Sequence, residues 1–107
     1  MSNPEAAFAA EMEQTYRDAA KKGYPANYFL RMLGEHGAVG AAQRLLAAEE
    51  ISQGLMKLCE LKLLDLSVEA VILKPEYAAP FTPAERARAR ERLAALDHPV
   101  AWDRGEA

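Results

Sequence analysis

The chain is predicted to be all-α, a compact bundle of five to six helices with irregular packing around a central apolar helix, and three observations carry that expectation. Ala, Leu, Glu, Arg and Lys, all strong helix formers, dominate the composition. Alternating runs of β-branched and aromatic residues, the mark of a half-buried strand, do not occur. Helix start signals of the cap-plus-proline kind recur, clearest at Thr82-Pro83-Ala84-Glu85. The chain has 107 residues, 50% apolar and 27% charged, which suits one hydrophobic core and is too short for two.

The first helix is expected to start at Ser2 or Asn3, where Ser2 and Glu5 have capping-box spacing and Pro4 suits the first turn, and to stop near Lys22 at Gly23. Phe8, Met12 and Tyr16 recur every four residues, and Ala19 continues the stripe, so one narrow face docks on the rest of the domain. Tyr24-Pro25 opens a second helix with Phe29, Met32 and Leu33 on one face, and Gly34-Glu35-His36-Gly37 ends it. A third helix from about Ala38 turns Val39, Ala42, Leu45 and Leu46 to one side.

The run from Ile51 to Leu64 is apolar on more than one side, with Ile51, Leu55, Leu58, Cys59 and Leu61 as interior candidates, and is expected to be the central helix. Asp65-Leu66-Ser67 breaks it. Ser67 caps a short buried helix, Val68 to Leu73, which must end before Pro75 because proline disfavours helical geometry at Lys74. Pro75 to Phe81 forms a loop anchored by Tyr77 and Phe81, and the last helix runs from Thr82 to about Leu96 with Ala89, Leu93 and Leu96 inward. Residues 1–97 are therefore expected to form a single domain, and residues 98–107 a flexible polar tail.

Composition excludes several functions. Charges interrupt every apolar run well short of the roughly 20 residues a membrane span needs. Met1-Ser2-Asn3-Pro4-Glu5 has no basic region followed by an apolar segment, so no secretion signal is expected and a cytoplasmic location is. Cys59, the single cysteine, permits neither an internal disulfide nor a zinc site built on two thiolates. A formal charge of -3 disfavours a protein devoted to coating nucleic acid, although a local basic face remains compatible with it.

Three segments, Gly37 to Leu46, Leu64 to Leu73 and Phe81 to Arg86, carry a resemblance to an uncharacterised family of small bacterial all-helical proteins and domains. The Asp65-Leu66-Ser67-Val68-Glu69 joint between two apolar runs is the most distinctive of them. The likeness spans about Tyr16 to Leu96 and departs at Met56 to Glu60, where an aromatic residue such as tryptophan would be expected. It implies an all-helical fold and a bacterial source, and no activity.

Few residues offer chemistry. Glu35 and His36 are adjacent in a glycine-flanked turn, where an acid–base pair need not converge, and His98 falls in the expected tail. Cys59 sits on the apolar side of a helix, which argues for a structural thiol. Gly34, Gly37 and Gly40 have no preceding strand and no following Gly-Lys-Ser/Thr, so helix punctuation explains them better than phosphate binding. No catalytic set, cofactor or metal site is expected.

Two binding surfaces remain. Tyr24, Tyr28, Tyr77 and Trp102 are the candidate partner-binding residues, because tyrosine and tryptophan are enriched at interface hot spots. Arg86, Arg88, Arg90 and Arg92 are the candidate nucleic-acid contacts, dividing at 100° per residue into the pairs Arg86/Arg90 and Arg88/Arg92. A helix-turn-helix over Ala41 to Glu60 is opposed by Glu49 and Glu50 at its turn. The expectation is a non-catalytic protein-interaction or regulatory module whose partner is another protein or a second copy of the chain, with a nucleic-acid-binding regulator as the alternative.

Overall fold

The architecture follows from which helix ends are capped and which faces are apolar. The computed structural model describes residues 3–24, 27–49 and 51–103, with the side chains at 27 and 28 left out. These residues include five helices, α1 (Pro4–Lys21), α2 (Asn27–Ala47), α3 (Gln53–Glu60), α4 (Val68–Ile72) and α5 (Pro83–Ala95). Single 3-10 turns occupy Leu64–Leu66 and Pro75–Tyr77, and no strand occurs among the described residues. No helix among them is long and apolar enough to cross a membrane.

In α1, Asn3 is the cap: its Oδ1 accepts from the amides of Glu5 at 3.0 Å and Ala6 at 3.3 Å, with Pro4 in the first turn. The capping box expected from Ser2 falls outside the described residues. Phe8, Met12, Tyr16 and Ala19 are buried as one stripe, against which α2 and α4 pack. The helix closes with paired bonds from Gly23 N to Ala20 O and Tyr24 N to Ala19 O, a Schellman ending that requires the left-handed φ of +102° at Gly23.

α2 joins two predicted helices across a kink. Gly37 takes φ 74°, ψ 167°, a region essentially closed to side chains, whereas Gly34 stays helical. The break thus falls at one glycine and not over the whole Gly34 to Gly37 stretch. Phe29 and Met32 are buried before the kink, and Ala38, Ala41, Ala42 and Leu46 after it.

The expected central helix is corrected. α3 spans only Gln53–Glu60, begins at a Ser52 cap, and buries Leu55 and Leu58, while Ile51, Cys59 and Leu61 are only partly covered. It stops early because Lys62 adopts a left-handed φ of +61° and completes a second Schellman ending, Leu63 N to Leu58 O and Lys62 N to Cys59 O. The element buried on all sides is α4, five residues long. Ser67 sets its start by accepting from the Ala70 amide at 3.1 Å while donating to Leu64 O at 2.6 Å.

α5 opens with the complete capping box between Thr82 and Glu85 and buries Ala89 and Leu93. Its C-terminus repeats the same closure with Asp97 at φ +57°. The chain then continues along the domain. Val100 is buried, His98 Nε2 lies 2.7 Å from Asp65 Oδ1, and the Trp102 indole donates to Ala70 O at 2.7 Å. The tail expected from residue 98 is therefore packed structure through residue 103, and residues 104–107 lie outside the described residues.

Candidate functional site

The arginines of α5 work largely inside the domain. Arg86 is buried, and its guanidinium donates to the carbonyls of Ile72, Leu73 and Lys74, the unsatisfied C-terminal end of α4. Arg92, also buried, does the same for α2, donating to Leu45 O at 2.8 Å, Leu46 O at 3.4 Å and Ala48 O. Arg88 donates to Ala48 O at 2.7 Å, and Arg90 holds Asp103 in a two-bond pair at 2.6 and 2.9 Å. Cationic side chains suit helix C-termini because the helix dipole is negative there. The nucleic-acid contacts expected of Arg86, Arg88, Arg90 and Arg92 thus meet a different use: two are buried and all four have partners within the fold.

The aromatic candidates divide. Tyr77 is buried edge-on against Phe8, with ring centroids 5.3 Å apart, and its hydroxyl donates to Glu11 Oε1 at 2.6 Å. Lys74 pairs with the same Glu11 and lies 5.1 Å over the Trp102 ring. Tyr77 and Trp102 are therefore brought together through Glu11 and Lys74, as fastenings of the 3-10 turn and of the C-terminal segment. Burial, followed by the hydrogen bond to Glu11 and that carboxylate's charge, raises the Tyr77 pKa far above the ordinary phenol value. The side chain of Tyr28 lies outside the described residues.

Tyr24 stands elsewhere, at a pocket of about 660 Å³. Its walls come from four helices, α1 to α4, and the segment before α3. Tyr16 of α1 stacks on Phe29 of α2 at 4.2 Å and 17°, and meets Tyr24 edge-on at 5.5 Å. Leu45 and Leu55 add aliphatic surface, and Ser52, Gln53, Gly54 and Lys57 bring the first turns of α3 to the rim. Gly54 permits this closure, since a β-carbon there would stand 2.6 Å from the Tyr24 hydroxyl. The volume falls in the range of small-ligand sites, mostly apolar cavities with a few placed polar groups.

The most telling polar group in that wall is Glu69 of α4, only 3% exposed. Its carboxylate forms an ion pair with Arg92 Nη1 at 3.6 Å, longer than a hydrogen bond, because the Arg92 donors are directed to the α2 carbonyls. Burial raises the Glu69 pKa, opposed by its own backbone amide and by Arg92. Burial also raises Tyr16 and Tyr24; the Glu69 charge adds to both, Tyr24 adds to Tyr16, and a hydrogen bond from the Val68 backbone opposes the shift of Tyr16. Both phenols consequently stay protonated donors at neutral pH. The pocket pairs an aromatic wall with a carboxylate whose acceptor capacity is incompletely used.

Glu35 and His36 lie side by side on α2, 3.8 Å apart and largely exposed, with Cys59 on a different helix and partly buried. Of the pocket's residues, sequence reasoning singled out Tyr24 for binding and assigned Tyr16, Phe29, Leu45 and Leu55 to the core. Glu69 was missed. Its signal was present: a lone carboxylate inside a segment expected to be a short buried helix, which requires a partner. Compared with protein-family models, curated proteins and solved structures, the chain matches none.

Proposed function

We propose that the domain is a non-catalytic protein-interaction module that receives a side chain of its partner in the pocket between α1, α2 and α3. The carrying observation is the pocket itself: about 660 Å³ of space against Tyr16, Tyr24 and Phe29, with the buried Glu69 carboxylate in its wall. An open cavity against large aromatic rings leaves their dispersion and apolar contacts incomplete, and a partner's side chain would supply them. The groups that would suit catalysis, Glu35, His36 and Cys59, do not converge on the pocket, so the reading is one of recognition without turnover.

The test is a retention experiment in which the tagged domain, wild type and Leu45→Trp, is recovered with its bound partners after nuclease treatment. Leu45 is only partly buried and lines the pocket, so tryptophan there fills the cavity while leaving the core in place. A protein held by the wild type and lost from a folded Leu45→Trp variant supports the module. A protein retained equally by both rejects the pocket, and retention of nucleic acid alone transfers the function to the arginine helix.

A further inference from the structure

Resting on that reading, the charges around the pocket narrow the chemistry of the side chain it takes. Arg92 does not fully satisfy Glu69. The Arg92 guanidinium faces the carbonyls of Leu45, Leu46 and Ala48, where the negative end of the α2 dipole offsets its charge, and it approaches Glu69 Oε2 at 3.6 Å, beyond hydrogen-bond length. Lys57, the cation at the rim, stands 3.6 Å from Glu60. The carboxylate therefore keeps an oxygen with room to accept, beside a wall of aromatic and aliphatic carbon.

We infer that the partner's side chain is a lysine, its four-carbon stem lying against Tyr16, Phe29 and Leu55 and its ammonium meeting the Glu69 oxygen turned away from Arg92. Lysine fits better than arginine for a geometric reason. A guanidinium is a planar fork that favours both oxygens of a carboxylate, and one oxygen of Glu69 already faces Arg92; an ammonium is a point charge satisfied by a single oxygen. The stem supplies apolar contact and the head supplies charge, the division of a snorkelling side chain turned inward. Tyr16 and Tyr24 add ring faces that attract a cation.

The probes are three blocked amino acids, the N-acetyl methylamides of lysine, of norleucine and of glutamate, titrated into the intact wild-type chain and followed by amide and methyl chemical shifts. Norleucine has the stem of lysine without the ammonium. The expected result is that lysine binds about tenfold tighter than norleucine, the advantage of one charged hydrogen bond, with shifts at Tyr24, Leu45 and Leu55. That preference shrinks towards parity in Glu69→Gln. Equal binding of lysine and norleucine at the same residues overturns the lysine assignment while leaving the pocket in place. A preference for glutamate overturns it in favour of Lys57 and the first turn of α3. No shift with any probe overturns it outright, and the Leu45→Trp retention result then judges the pocket separately.

Discussion

At the scale of single residues, Arg92 has the greatest structural consequence, because it joins the C-terminal carbonyls of α2 to the buried Glu69 of α4. Removing one member of a buried pair leaves the other uncompensated, so Arg92→Met is expected to cost about 3–5 kcal/mol in urea unfolding, and the double variant with Glu69→Leu to regain part of that. Arg90→Met, at the part-buried Asp103 pair, is expected to cost about 1 kcal/mol. Glu69 also sets a pH dependence. Its folded pKa lies above its unfolded value, so protonation favours the fold, and its contribution is lost as pH rises from the ordinary glutamate pKa through the raised one. Unfolding of Glu69→Gln and wild type across pH 4 to 7 is expected to show the variant gaining relative stability as pH rises; a constant gap would contradict the burial of a titrating Glu69.

At the scale of elements, backbone conformation separates glycines that look alike in sequence. A β-carbon at Gly34 or at Gly37 would meet nothing within 4 Å, yet only Gly37 has a positive φ. Gly37→Ala is expected to destabilise by about 1–3 kcal/mol through strain alone, and Gly34→Ala to stabilise by up to about 1 kcal/mol; thermal unfolding of the pair checks both. The stripe Phe8, Met12, Tyr16, Ala19, the Ser67 cap and the Thr82–Glu85 box were legible because period and cap chemistry are local. The end of α3 was not, since its left-handed position is Lys62 and carries no glycine to announce it. Nor were the roles of the α5 arginines: which carbonyls are left unsatisfied, and beside which helix they fall, is a tertiary fact.

At the scale of the whole molecule, the C-terminal segment belongs to the fold. Sequence favours a tail because residues 98–107 are mostly polar and follow a helix end, but three anchors earlier in the chain, Asp65, Ala70 and Arg90, receive His98, Trp102 and Asp103. Deleting residues 98–107 is expected to cost about 3 kcal/mol, the scale of losing a buried Val100 and a part-buried tryptophan with its hydrogen bond. Trp102 fluorescence should move to longer wavelength in the same cooperative transition that melts the helices. A separate, earlier shift would mean that the segment is not part of the cooperative unit.

The site was half legible for a related reason. Tyr24 is an aromatic residue at a helix junction and stands out by type. Tyr16 and Phe29 read as core and are core, yet one side of each borders the cavity; only the placement of α3 creates that space. Recognition in that space is tested by amide hydrogen exchange on the complex with the retained partner. Recognition in the pocket slows exchange in the first turn of α3, from Gln53 to Leu55, and near Leu45 at the end of α2. Slowing confined to the solvent-facing positions of α5, with the α3 turn unchanged, would contradict it.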